Sequence, residues 1–131
     1  MRLLLVLTAL LEAATGLGLL AVPALLDLVL LGGRFEAPAS VVVARIAGGA
    51  LLALGVACWF ASRDTQSRAA YGVVAAMLVY NITTAALLVY ADAAKGAAGV
   101  ALWPAVLVHA ALAVWCAMCL TRAPVSNCVE Q

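Results

Sequence analysis

The sequence predicts an all-α, polytopic membrane protein: a bundle of four transmembrane helices with both termini on the same side of the membrane. Of the 131 residues, 68% are hydrophobic and only 10% are charged. The mean hydropathy of +1.18 is far above that of a soluble domain. Four apolar stretches are each long enough to cross a hydrocarbon layer of ~30 Å as helices. The polar connections between them are short, so we expect a single membrane domain over residues 1–131.

The first span covers residues 3–22 and carries an acidic residue in the middle of an apolar run. We expect it to bend at Pro23, which removes a backbone donor, and to extend to about residue 31. The acidic residue is Glu12. A carboxylate at this depth costs roughly 2.5 to 3.5 kcal/mol on insertion scales, so Glu12 needs a partner, a proton or a function.

The second span covers residues 41–60. Ser40 precedes it and is predicted to cap its first turn, and Arg45 lies about one turn inside its start. Small residues then recur at four-residue spacing, a pattern that lets a neighbouring helix approach closely in a membrane. These residues are Gly49, Ala53 and Ala57.

The third and fourth spans cover residues 69–90 and 100–120, and residues 121–131 form a polar tail. Pro104 falls in the first turn of the fourth span, where the missing donor is harmless. The centre of the third span is unusually polar for lipid depth. It contains Tyr80, Asn81, Thr83 and Thr84.

The most polar residues of three spans are predicted to lie at one level of the bundle. At a rise of ~1.5 Å per residue from one membrane face, Glu12 lies about 14 Å deep, Asn81 about 18 Å and His109 about 17 Å. Arg45 is near the opposite face, about 24 Å from the face used for the other three residues, and has a long side chain that can reach inward. The candidate site is therefore a polar cluster of Glu12, Arg45, Tyr80, Asn81, Thr84 and His109.

Two interpretations of this cluster remain open. It could bind a proton, a cation or a polar headgroup, with Glu12 as the titrating group and His109 or Asn81 as its partners. Alternatively, its members could satisfy one another's hydrogen bonds and fix the register of the helices.

Other ligand classes receive less support from the composition. A single histidine cannot supply the paired ligation of a membrane b-type haem, and no metal-ligand spacing occurs, so we predict neither a metal nor a cofactor. A net charge of +1 without basic runs argues against nucleic acid. The expected partners are the lipid bilayer and other helices, in a homo-oligomer or a larger membrane complex.

The distribution of basic residues predicts the orientation. Four basic residues belong to the side that holds the termini and the second loop, and two belong to the opposite loops. By the positive-inside rule, both termini are cytoplasmic in a multi-pass protein of the inner (plasma) membrane. The first group is Arg2, Arg63, Arg68 and Arg122, and the second is Arg34 and Lys95.

All four cysteines, Cys58, Cys116, Cys119 and Cys128, fall at the face that holds the termini. A cytoplasmic face is reducing, so we expect free thiols. In the reverse orientation, Cys116 and Cys119 would form a C-x-x-C pair at the edge of a four-helix bundle. That arrangement resembles quinone-coupled thiol oxidoreductases of the disulfide-generating type.

Two further resemblances concern larger parts of the chain. The chain resembles the small multidrug resistance transporters in having a glutamate in the first of four short helices. This resemblance implies only a possible proton- and cation-binding role for Glu12. The segments LEAATGLGLL, ARIAGGALLALG and VYN resemble small uncharacterised bacterial four-helix proteins, broadly DoxX-like. The second resemblance implies a bacterial membrane protein without implying a mechanism.

Three classes of function follow. The sequence favours a structural or accessory membrane subunit that packs against partner helices, which is not an enzyme. The first alternative is a proton-coupled small transporter or ion pathway that uses Glu12. The second alternative is a quinone-coupled thiol oxidoreductase that uses Cys116 and Cys119.

Overall fold

The computed structural model describes residues 1–33, 37–96 and 99–122, without the side chain of Lys95. Within these residues the chain is helical and contains no strand. Four of the helices are long and apolar enough to cross a membrane, which confirms the predicted fold class; the short α2 is the exception. The helices are α1 (Arg2–Ala21), α2 (Pro23–Leu31), α3 (Pro38–Ala61), α4 (Arg68–Lys95) and α5 (Leu102–Thr121).

The predicted bend at Pro23 is a complete break between two helices. α1 ends before Val22, whose backbone has φ −135° and ψ 57°. Pro23 occupies the first turn of α2, where its fixed φ suits a helix start and its missing N–H is not needed. α2 ends at Gly32, which adopts a left-handed conformation with φ 71° that glycine reaches without steric cost.

The predicted cap of α3 is wrong, and α4 is longer than the predicted third span. Ser40 does not cap α3, because the helix already begins at Pro38 with the extended Ala37 before it. Proline at the first helical position determines this earlier start. α4 continues past residue 90 and ends only at Gly96, which has φ 65°. At the other end of α4, the Ser67 hydroxyl accepts a hydrogen bond of 3.1 Å from the N–H of Ala70 and caps the helix.

The four long helices form two closely packed pairs, α1 with α3 and α4 with α5. Glycines bring α1 and α3 together: a Cβ atom on Gly16 would lie 2.7 Å from the carbonyl oxygen of Gly48, and one on Gly48 would lie 2.7 Å from that of Gly16. Gly55 packs similarly against the backbone of Ala9. Such contacts replace the hydrophobic effect as the source of helix association in lipid.

The predicted small-residue ridge does not form this interface. A Cβ atom on Gly49 would meet no atom within 4 Å, and Ala53 is exposed. The ridge turns outward because Gly48 and Gly55, which lie on another face of α3, make the contact with α1.

The two pairs are joined at both ends of the bundle. At the end that holds Met1 and Arg122, residues from all four long helices form an apolar core. At the opposite end, the N–H of Ala101 donates a 2.9 Å hydrogen bond to the carbonyl oxygen of Val29, and Gly99 packs on the backbone of Leu30. Between these joints the seam between the pairs contains the polar layer. The apolar core consists of Leu4, Leu5, Ala9, Cys58, Val74, Met77, Leu112 and Cys116.

Candidate functional site

Asn81 is fully buried in α4 and links that helix to α5. Its Nδ2 donates to the carbonyl oxygen of Met77 at 2.7 Å, so its Oδ1 faces the Nδ1 of His109 at 2.8 Å. Because a carboxamide oxygen only accepts hydrogen bonds, His109 donates from Nδ1, an assignment that follows from the hydrogen-bond network. The neutral imidazole then keeps Nε2 as an acceptor.

Tyr80 connects this pair to α1. Its ring packs edge-on against His109, with ring centroids 5.7 Å apart and an interplanar angle of 79°. This is a favourable aromatic arrangement. The Tyr80 hydroxyl lies beside the carboxylate of Glu12 and the hydroxyl of Thr84. The structure thus brings Glu12, Tyr80, Asn81, Thr84 and His109 together.

Arg45 is the one residue of the predicted cluster that lies elsewhere. Its side chain is exposed on α3 and does not line the cleft next to Glu12. The neighbouring Ile46 is also exposed, so this part of α3 faces outward. The helical rise per residue gives the position of Arg45 along the bundle axis, but it does not give the direction of its side chain around the helix.

A cleft of about 230 Å³ adjoins the cluster, between α1 and the first half of α5. Glu12, Tyr80 and His109 form its polar wall, and apolar side chains form most of the remainder. Leu11 and Val108 flank it and are 45% and 44% exposed, so the cleft opens sideways at the apolar surface of the bundle. The remaining lining residues are Thr15, Ala101, Pro104, Ala105 and Leu112.

The carboxylate of Glu12 is the central chemical feature of this cleft. Glu12 is only 3% exposed, and within residues 1–33, 37–96 and 99–122 no lysine or arginine lines the cleft. The carboxylate and the Nε2 of His109 are hydrogen-bond acceptors. The cleft is therefore suited to a group that brings a proton or a positive charge, and it is unsuited to an anion.

Metal binding finds no support in the part of the chain that the structure describes. Among those residues, no three His, Cys, Asp or Glu side chains lie close enough together to hold a metal ion.

Thr8 lies one helical turn from Glu12 on the core side of the polar layer. It is 1% exposed, and its hydroxyl has no hydrogen-bond partner among the described residues. Thr15, one turn to the other side, lines the cleft instead. The polar face of α1 is thus divided between the core and the cleft.

The cysteines of the described residues are free thiols. Cys58 and Cys116 belong to the apolar core, at 0% and 1% exposure. Cys119 is partly exposed at the end of the bundle that holds Met1 and Arg122. Cys128 lies outside the described residues.

The sequence interpretation missed the apolar part of the cleft. Ala105 lies four positions before His109, Val108 lies one position before it, and Leu112 lies three positions after it. This spacing places them on or beside the face of His109. The helical periodicity of α5 around His109 was therefore the signal that could have predicted the apolar lining of the cleft.

A comparison of the chain with models of known protein families, with curated proteins and with solved structures finds no match.

Proposed function

We propose that the protein is an integral membrane protein that binds a proton or a small cation at Glu12, in the cleft between its two helix pairs. One observation carries the proposal: Glu12 is 3% exposed in a cleft where none of the described lining residues is a lysine or an arginine. An ionised carboxylate in apolar surroundings without a cationic partner is costly. A bound proton or cation removes that cost.

The neighbouring side chains have distinct roles in this proposal. Tyr80, beside the carboxylate, supplies a hydroxyl that can donate to it when it is ionised. Asn81 holds the imidazole of His109 through Nδ1 and leaves Nε2 to accept a proton from the ligand. Such a site provides the binding step that a proton-coupled carrier or an ion pathway requires.

The structural or accessory subunit remains a second candidate because of the outward face of α3. Gly49 has open space around it and Ala53 is exposed, so a helix of a partner could approach closely there. In that case the polar cluster fixes the register of the bundle, and the partner is a second copy or another membrane protein.

We further propose that the protein is a multi-pass protein of a bacterial plasma membrane with both termini in the cytoplasm. The excess of arginine at the face that holds the termini supports this orientation. The four-helix architecture is compatible with the broadly DoxX-like resemblance. The thiol oxidoreductase receives no support from Cys116, which is buried in the apolar core.

Infrared difference spectroscopy of the purified protein in lipid tests the binding proposal. A pH step, or addition of a small ammonium ion, should change the carboxyl bands of the natural protein. Glu12→Gln should lose one such band. Asp27→Asn is the matched control, because Asp27 is a carboxylate of α2 that does not line the cleft.

Proton flux into liposomes then tests the transport form of the proposal. Flux in the natural protein and in Asp27→Asn, and its loss in a folded Glu12→Gln variant, would support a carrier or pathway. If Glu12→Gln has the same infrared and flux signals as the natural protein, Glu12 binds nothing, and the structural role stands.

A further inference from the structure

A second pocket, of about 370 Å³, lies at the end of the bundle that holds Met1 and Arg122. It is formed by four parts of the chain: Met1, the connection between α3 and α4, the first turn of α4, and the last two turns of α5 with the following Arg122. The apolar core separates it from the Glu12 cleft, and the two share no lining residue. An inference from this pocket therefore does not depend on the proposed function.

The charge of this pocket is opposite to that of the Glu12 cleft. Of the described residues that line it, Arg122 has the only charged side chain and none has a carboxylate. Among the residues that the structure describes, three further arginines, Arg2, Arg63 and Arg68, belong to the same end of the bundle, against one acidic residue, Asp64. The surroundings therefore favour an anion.

The other polar lining residues are all able to donate hydrogen bonds. Thr65 and Tyr71 have hydroxyl groups, Gln66 has a carboxamide, and Trp115 has an indole N–H. A guanidinium group that acts with several neutral donors is suited to the oxygens of a phosphate group. The sulfur and methyl of Met118 and the ring of Trp115 provide an apolar wall beside them.

The level of this pocket corresponds to the headgroup region of a bilayer. Tyr71 lies in the first turn of α4 and Trp115 less than two turns before the end of α5, and tyrosine and tryptophan concentrate at this level. A phospholipid there has its phosphate beside the guanidinium and its chains along the apolar helix surfaces.

We propose that this pocket binds a phosphate group, with Arg122 as its cationic contact and Gln66, Tyr71 and Trp115 as neutral donors. The phosphate can belong to an anionic phospholipid in the membrane or to a soluble phosphate compound. The chemistry of recognition is the same, and the experiment distinguishes the two sources.

Native mass spectrometry of the full chain in detergent measures the lipid that is retained. The probes are phosphatidylglycerol, a phosphate-free glycolipid with the same acyl chains, and inorganic phosphate. Arg122→Gln should lower the retention of phosphatidylglycerol about tenfold, since one charge-assisted hydrogen bond contributes roughly 1.5 kcal/mol. Trp115→Phe keeps an aromatic ring but removes the indole N–H donor, and it should lower the retention of phosphatidylglycerol severalfold.

Arg63→Gln is the matched control. It makes the same charge change at the same end of the bundle, but the guanidinium of Arg63 lies over the rings of Trp59 and Phe60, at 5.6 and 5.9 Å from their centroids, and does not line the pocket. Its retention of phosphatidylglycerol should stay within about twofold of the natural protein.

The outcomes separate as follows. Preferential retention of phosphatidylglycerol that depends on Arg122 and not on Arg63 supports a lipid headgroup. Saturable binding of inorganic phosphate with the same dependence, and no preference among lipids, supports a soluble phosphate compound. Equal losses in Arg122→Gln and Arg63→Gln, or equal retention of the glycolipid without Arg122-dependent binding of inorganic phosphate, would overturn the proposal.

Discussion

The Nδ1 of His109 lies 2.8 Å from the Oδ1 of Asn81, and this bond joins α5 to α4 at the level of Glu12. Hydrogen bonds between membrane helices contribute about 0.6 kcal/mol on average and up to about 1.7 kcal/mol. Because Asn81 is fully buried and its amide orientation is held by Met77, we expect a value in the upper half of that range.

A double-mutant cycle measures this energy. Asn81→Leu and His109→Phe, singly and together, should give an interaction energy of about 1 to 1.7 kcal/mol in the free energy of unfolding in mixed detergent. Strictly additive effects would show that the contact contributes nothing to the stability of the bundle.

The glycine contact between α1 and α3 gives a second prediction. Gly48→Ala places a methyl group against the backbone of Gly16, at 2.7 Å from its carbonyl oxygen. Because backbone cannot rotate away, the helices must separate, and we expect a loss of about 1 to 3 kcal/mol in the free energy of unfolding.

Gly49→Ala is the adjacent control for this substitution. A methyl group there meets nothing within 4 Å, and alanine has a higher helix propensity than glycine, so the monomer should keep or gain stability. If Gly49→Ala instead weakens an oligomer measured by cross-linking, the outward face of α3 is an interface. Equal stability of Gly48→Ala and the natural protein would contradict the observed packing.

Thr8 gives a third prediction. Its buried hydroxyl has no hydrogen-bond partner among the described residues, so Thr8→Val, which keeps the shape of the side chain, removes a desolvated polar group. We expect a gain of about 1 kcal/mol in the free energy of unfolding. Thr83→Val, at an exposed position of α4, is the control and should change stability by less than about 0.5 kcal/mol. Destabilisation by Thr8→Val would show that the hydroxyl has a partner, such as a bound water.

The sequence predicts the axial features of this protein well because hydrophobic length and helical rise determine them. The four spans and the common level of Glu12, Asn81 and His109 follow from distance along each helix. The direct bond between Asn81 and His109 agrees with that level.

The angular features could not be predicted in the same way. Apolar residues occur on every face of these helices, as they do in helices that can span a membrane, so the hydrophobic pattern does not show which face points inward. For this reason the spacing of Gly49, Ala53 and Ala57 predicts a close helix contact, but the sequence does not show that Gly48 and Gly55 make the contact with α1. Arg45, at a suitable depth for the polar layer, points outward for the same reason.

Thiol reactivity gives the fourth prediction, and it also tests the orientation. Cys58 and Cys116 are at most 1% exposed in the apolar core, whereas Cys119 is partly exposed at the end of the bundle that holds the termini. Since maleimides must reach the sulfur, Cys119 should react at least tenfold faster than Cys58 and Cys116 in the folded protein, and denaturation should abolish the difference. Peptide-level mass spectrometry identifies each labelled cysteine.

With a membrane-impermeant maleimide, Cys119 should react in inside-out vesicles and not in intact cells if the termini are cytoplasmic. Labelling of Cys119 in intact cells would reverse the orientation, and rapid labelling of Cys116 in the folded protein would revive the thiol oxidoreductase.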